Sequence, residues 1–237
     1  MELDLNGRVI LTPERAVMLG KTAVIADLHL GFEGAMRRAG VAFPRVQIEE
    51  IKRELDKLLK RGVERVVVAG DLKHEFSENL PHEWRDVEEF LSFLRERGVE
   101  VVLVRGNHDN YLRTMARKFD LDVIDEFEVR GVKVVHGHRE CEGRWVVMGH
   151  EHPSVKLRVR GGVYSYPCFL RLKSEVRDIL VLPAMSPLLS GSDILTLESF
   201  LSPVLKGFSP AEAEVYAVCD GVYSLGRAGV LSSVLET

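Results

Sequence analysis

The first half of the chain alternates short apolar runs with longer segments of helical periodicity. Residues 22–26 are mostly apolar and stop at Asp27, which predicts a buried strand. Ile48, Ile51, Leu55, Leu58 and Leu59 recur at the spacing of an amphipathic helix, and Gly62 ends it. Residues 66–68 predict a second strand, stopping at Gly70-Asp71. Trp84, Val87, Phe90, Leu91 and Leu94 line a second helix closed by Gly98. Residues 101–104 predict a third strand, which stops at Gly106-Asn107-His108-Asp109. This alternation of strand and helix predicts right-handed crossovers and a mainly parallel sheet.

The second half changes character. β-like runs follow closely at 123–129, 132–135, 145–148, 155–159, 163–169 and 179–182, with turns supplied by Gly131 and Gly161-Gly162. Residues 214–219 and 222–225 flank Asp220-Gly221, a hairpin signal. A second, more antiparallel sheet follows from these runs. No repeat or linker interrupts the chain, so two packed sheets with helices outside are expected in a single domain spanning 1–237.

Ligands of open α/β sheets gather beyond the carboxyl ends of the strands. Strands ending in Asp27, Asp71 and Asn107-His108 therefore aim their polar residues at one shared edge. Five clusters stand out: Asp27-Leu28-His29, Gly70-Asp71, Gly106-Asn107-His108-Asp109, His136-Gly137-His138 and Gly149-His150-Glu151-His152. Of eight histidines, only His82 falls on a helix away from them, a bias that scattered surface histidines would not show. Carboxylate, imidazole and amide oxygen form a mixed N/O donor set suited to manganese, iron, zinc or nickel. The absence of thiolate donors argues against a purely structural zinc site. In an extended segment the side chains at i and i+2 share a face, so Asp27 and His29, or His150 and His152, can reach one small volume. The glycines before Asp71, Asn107 and His150 allow close backbone approach.

Composition narrows the remaining choices. A chain of 237 residues with 46% hydrophobic and 29% charged residues is an ordinary globular composition. The net charge of −4 lacks the basic excess of a nucleic-acid coat protein, and two bound divalent cations would cancel it. Cys141, Cys168 and Cys219 are odd in number and show no CxxC spacing, which predicts reduced thiols and a cytoplasmic setting. The acidic start Met-Glu-Leu-Asp-Leu is unlike a signal peptide. The apolar stretch 179–189 is broken by Pro183 and Pro187, so no membrane span is expected. Gln47 is the only glutamine, and abundant Glu and Arg beside few amides is a thermophile-like bias.

The order Asp-x-His, Gly-Asp, Gly-Asn-His-Asp, His and Gly-His-x-His resembles the calcineurin-like metallophosphoesterase superfamily, over Asp27 to His152. The resemblance implies a four-layer α/β/β/α sandwich of two mixed sheets flanked by helices. It also implies two divalent cations, manganese foremost, that activate water and offset phosphate charge. Asp27, His29, Asp71 and His152 would hold one cation. Asp71, as the bridge, would share the second with Asn107, His136 and His150. His108 would act on the scissile phosphate beside catalytic Asp71. Either imidazole of His136-Gly137-His138 has the right type; His136 is taken as the ligand because it directly ends its strand, and His138 as a residue facing substrate. Lys73 and His74 adjoin the bridging carboxylate and are expected at the substrate. Asp109 is expected to support the turn rather than to bind metal.

One position departs from the protein-phosphatase pattern. Those members read Gly-Asp-x-x-Asp, where the last carboxylate orients the histidine of Gly-Asn-His. Here that position is His74, whose imidazole could take over the hydrogen bond to His108. Ala26 to Glu33, Gly70 to His74, Gly149 to Pro153, Pro167 to Leu170 and Leu182 to Pro187 also resemble the archaeal ICC-like phosphoesterases. Bacterial relatives of that group include ligase-associated DNA-damage-response phosphoesterases. This narrower resemblance implies a manganese-dependent phosphodiesterase, a nuclease in DNA repair, with DNA as substrate and helicase or ligase partners. Arg37, Arg38, Arg113, Arg117, Lys118, Arg158, Arg160, Arg171 and Lys173 are candidates for a DNA path. A small-molecule phosphodiesterase or phosphomonoesterase is the alternative, favoured by a closed pocket. A non-catalytic scaffold on the same fold should have lost ligands, and none of the expected ligands is missing.

Overall fold

Alternation along the strands explains how two sheets come to lie face to face. The computed structural model describes residues 1–235 apart from Asn6, Glu78, Asn79 and Arg160. The first sheet runs in chain order through β1 (Leu3–Asp4), β2 (Ile10–Leu11), β3 (Val17–Leu19), β4 (Thr22–Ile25), β5 (Arg65–Ala69), β6 (Glu100–Val104) and β7 (Val123–Ile124). From β4 to β7 the strands are parallel, as the strand–helix rhythm predicts. β1 to β4 add an antiparallel edge of very short strands, too short to leave a periodic signal.

The second sheet comprises β8 (Phe127–Val129), β9 (Val132–Val135), β10 (Trp145–Met148), β11 (Pro153–Val159), β12 (Gly162–Lys173), β13 (Asp178–Val181), β14 (Ser192–Asp193), β15 (Glu214–Val218) and β16 (Val222–Arg227). β9, β10 and β13 are parallel neighbours, and most other pairings are antiparallel. The expected single run at 123–129 is in fact divided between the two sheets. β7 pairs with β6, whereas β8 pairs with β9. The exposed Asp125 and Glu126 mark the crossing, and their charges pair with Arg105 and Lys133 instead of entering a strand.

Among the described residues, five α-helices flank the sheets: α1 (Phe32–Arg38), α2 (Gln47–Lys60), α3 (Pro81–Glu96), α4 (Leu112–Ala116) and α5 (Ala228–Leu235). Ala23, Ile25, Val66 and Val68 face outward and pack with Ile51, Leu55, Val87 and Phe90 of α2 and α3. Their neighbours Val24, Val67 and Ala69 face inward and meet Val134, Val147, Phe169 and Leu180 of the second sheet. Val146, Met148, Leu170 and Ile179 use the far face, packing with Val204, Leu205 and Ala228. The result is an α/β/β/α sandwich whose outermost layer is α5 together with short 3-10 turns. Each fully buried Leu, Ile, Val or Phe contributes roughly 1.5–3 kcal/mol, so the three clusters dominate stability.

Helix α2 begins without a capping side chain of its own. Glu33 of α1 supplies the missing acceptor. Its Oε1 takes the N–H groups of Val46 and Gln47 at 2.6 and 2.7 Å, placing a negative charge at the positive end of the helix. α3 starts with Pro81, where a missing N–H costs nothing. These two anchored helix starts fix the loops that follow β4 and β5.

Candidate metal centre

The parallel strands of both sheets end on the same side, and the five polar clusters follow those ends. The loops after β4 and β5 remain zipped together beyond the regular sheet. Asp27 N–H donates to the Gly70 carbonyl at 3.1 Å, His29 to Asp71 at 2.9 Å and Leu30 to Leu72 at 2.8 Å. From the second sheet, the Met185 N–H reaches the Ala26 carbonyl at 2.8 Å.

Asp27, His29, Asp71 and His152 each offer one ligand atom, and these atoms all lie within 4.8 Å of one another. That group can hold one divalent cation. His29 Nε2 and His152 Nε2 face each other at 3.4 Å, and Asp27 Oδ1 is buried with no hydrogen-bond partner. A shared cation satisfies all three atoms, so the residues present fit the metal that their chemistry implies. Beyond Asp71 lies a second gathering. His136 Nε2 is 2.9 Å from Asn107 Oδ1, 3.1 Å from His150 Nδ1 and 3.4 Å from Asp71 Oδ2. His136 Nδ1 is 3.0 Å from the Ala69 carbonyl and donates to it, which leaves Nε2 as the atom facing the cluster.

The backbone is bent to reach this arrangement. Eight non-glycine residues among those described have positive φ, and five of them are Asp27, His29, Asp71, His150 and His152. Left-handed conformations cost roughly 1–3 kcal/mol each and persist where surrounding structure imposes them, commonly at functional sites. Space is equally constrained. A Cβ on Gly106 would collide with the Asp71 carboxylate and backbone, and one on Gly149 would lie 2.6 Å from Asp27 Oδ2.

Burial and mutual charge divide the imidazoles. Burial pushes His29 down to about 3, and burial with the nearby His136 pushes His150 down to about 4, so both are neutral donors at ordinary pH. Burial opposes a charge on His136, yet Asp71 and Asp27 outweigh it and raise the group to about 9. The pair of buried carboxylates thus attracts positive charge to this spot. Asp109 is pushed up to about 6 by burial and by Asp71. Its oxygens accept the N–H groups of Gly106, Leu72 and Lys73, tying the loops after β5 and β6 together.

His108 sits at the mouth, 29% exposed, with Nε2 4.0 Å from Asp71 Oδ2. Its backbone N–H donates to Asp71 Oδ1 at 2.9 Å. The expected partner of its ring was the His74 imidazole. The structure corrects this: His108 Nδ1 donates to the His74 backbone carbonyl, and the His74 ring turns toward His29 instead. His138 lies one ring beyond the cluster, 5.3 Å from the His136 centroid. Lys73 is not at the opening. It is fully buried in the loop after β5, where it forms a β-bridge with Leu30, and its charge finds a partner 3.8 Å away in Glu83. Lys118 and Arg171 are engaged in ion pairs with Glu88 and Asp178, and Arg160 lies outside the described residues.

Two residues that support the site were not singled out in the sequence: Gln47, outside every motif, and Ser186, marked only as part of the Leu182–Pro187 resemblance. Gln47 is 2% exposed, and its side-chain amide donates to the carbonyls of Leu28 and His29 at 2.9 and 3.1 Å, and to Ser186 Oγ at 2.8 Å. The Ser186 N–H donates to the Asp27 carbonyl at 3.3 Å. Together they brace the strained Asp27–His29 turn from below. A lone glutamine in an amide-poor chain was the one hint in the sequence. A cavity of about 520 Å³ lined by Arg15, Arg53, Arg61 and Met185 contains none of the clustered histidines, so cavity size does not point to this site.

The calcineurin-like phosphoesterase family matches residues 20–192, a span that includes every clustered residue. The chain belongs to that family. With its compact His/Asp cluster, this calcineurin-like phosphoesterase is a metal-dependent enzyme. The crystal structure of the Pseudomonas putida nuclease MPE shares its fold, with a TM-score of 0.68 at 23% identity over 95% of this chain and 99% of that one. Yfce, a phosphoesterase from E. coli, is more distant, with a TM-score of 0.43 at 17% identity over 82% and 86% of the two chains. No curated protein sequence matches the chain. Among the described residues, no helix is long and apolar enough to cross a membrane.

Proposed function

We propose that this calcineurin-like phosphoesterase uses two divalent cations to hydrolyse phosphodiester bonds in nucleic acid, as a nuclease of the DNA-repair type. The observation that carries the reading is the position of Asp71. Its Oδ2 lies 3.6 Å from His29 Nε2 on one side and 3.4 Å from His136 Nε2 on the other, as a shared carboxylate requires. Asp27, His29, Asp71 and His152 hold the first cation; Asp71, Asn107, His136 and His150 hold the second. When bound, the two cations supply Lewis acidity toward water and phosphate oxygens.

The protein's own groups supply the rest. His108 faces the substrate at the mouth. With Nδ1 committed to the His74 carbonyl, Nε2 is the atom that gains or releases a proton, fitting a general acid for the leaving oxygen. Asp109 and Gln47 hold the loops that carry these groups. Substrate class rests on three further supports. His108 and His152 are 29% and 23% exposed, an open mouth rather than a sealed pocket. The Pseudomonas putida protein of the same fold is described as a nuclease. The narrower sequence resemblance points the same way, toward manganese and DNA.

The test is a manganese-supplemented assay on single-stranded DNA, duplex DNA and bis-p-nitrophenyl phosphate, with Asp71→Asn as control. Cleavage of DNA that Asp71→Asn abolishes supports the reading. Turnover of small phosphoesters with no DNA cleavage would replace it with a small-molecule phosphodiesterase.

A further inference from the structure

Phe76 is 52% exposed although it sits beside the histidine at the mouth of the metal centre. Isolated exposed apolar residues are common and need no explanation. This one differs in its neighbours and in how firmly it is held. Its ring centroid lies 6.0 Å from that of His108, edge to face at 88°. Behind it, His108 and His74 are nearly parallel at 6.0 Å and 17°, and Phe32 closes the row 4.9 Å from His74. Four rings thus form a continuous wall leading outward from the cluster, with Phe76 as its open end.

The segment that presents Phe76 is pinned at three successive carbonyls. The His74 carbonyl accepts His108 Nδ1, the Glu75 carbonyl accepts Lys73 Nζ, and the Phe76 carbonyl accepts Asn110 Nδ2 at 3.4 Å. Two of the three donors come from the loop that also carries His108. The buried Lys73 ammonium also pairs with Glu83, which accepts the Glu75 N–H as well, so the segment is tied to α3. The backbone that carries Phe76 is therefore tied to the loop that carries His108.

We infer that Phe76 and the rings behind it form a subsite for a nucleobase flanking the scissile phosphate, with Phe76 as a specificity-determining residue. The inference rests on the nuclease reading above and adds what lies next to the phosphate. A neutral aromatic face stacks on any base, so the subsite selects for a base without selecting its sequence. Phosphate contacts cannot substitute for it, because they are blind to whether a base is present.

The test compares a short oligothymidylate with an abasic oligomer of the same length. kcat/KM is measured for both in manganese with the wild-type protein, Phe76→Ala and Phe76→Trp. The wild type prefers the base-bearing oligomer; Phe76→Ala lowers that preference about tenfold, and Phe76→Trp retains it. A second readout needs no turnover. A 2-aminopurine in the oligomer is quenched on binding to the wild type in EDTA and less quenched with Phe76→Ala. A preference and quenching unchanged in Phe76→Ala would overturn the subsite. A wild type that cleaves neither oligomer, yet turns over bis-p-nitrophenyl phosphate, would overturn the nuclease reading and the subsite with it.

Discussion

Gln47 Nε2 donates to Ser186 Oγ at 2.8 Å, joining the first turn of α2 to the segment after β13 directly beneath the metal centre. The same amide holds the Leu28 and His29 carbonyls. Asp27 and His29 are thus kept in left-handed conformations by a side chain that touches no substrate. Gln47→Leu preserves volume but leaves those buried acceptors without a partner, at a cost of about 1–3 kcal/mol. Removing such outer support should also weaken manganese binding about 10–100-fold. Calorimetric titration with manganese and urea denaturation in EDTA check both. Unchanged affinity would make Gln47 a core residue only.

Gly106 faces Asp71 with no room for a side chain. In Gly106→Ala the added methyl meets both the carboxylate and the backbone of Asp71, so the carboxylate must move. Activity on bis-p-nitrophenyl phosphate should fall at least about 100-fold, the scale at which small displacements of catalytic groups act. Circular dichroism should still show a folded protein, because the change lies beyond the ends of the strands.

The raised position of His136 predicts coupling between metal and protons. Its folded value of about 9 lies above the ordinary 6.5. The protonated ring therefore adds stability to the metal-free protein below pH 6.5, and that contribution is lost as the pH rises through 9. A cation at Nε2 must displace the proton. Manganese binding at pH 7.5 should release close to one proton from His136, read by titration in buffers of different ionisation enthalpy. Absence of proton release would place His136 outside the ligand set.

Lys73 and Glu83 form a buried pair, with side chains 0% and 1% exposed. Glu83 also accepts the Leu80 N–H at 3.2 Å and the Glu75 N–H. Glu83→Ala strands a buried ammonium and should cost about 3–5 kcal/mol. Lys73→Met in the same chain should recover part of that loss. Denaturation midpoints of the two single variants and the double variant measure the coupling; additive losses would mean that the two groups do not support each other.

Much of this arrangement was legible in the sequence because it depends on local patterns. Residues 66–68 and 101–104 read as strands because every position is apolar, and those strands end at Ala69 and Val104, a few residues before Asp71 and Asn107. The split between β7 and β8 was hidden, since Asp125-Glu126 reads as a brief polar interruption until the two sheets are in place. Local patterns also miss long-range support. The link from Gln47 to Ser186 spans 139 residues, and no periodicity records it. Lys73 shows the converse error: nearness to Asp71 in sequence suggested a substrate contact, but its side chain is buried against Glu83. Phe76 could not be singled out either, because only its neighbours His108 and Asn110 give an exposed ring a purpose.

The count of manganese ions per chain, by elemental analysis after equilibration and gel filtration, tests the two-cation account most directly. Two ions in the wild type, and no more than one in Asp71→Asn with activity lost, is the predicted result. A wild type that holds a single ion while fully active, or an Asp71→Asn protein that keeps both, contradicts it.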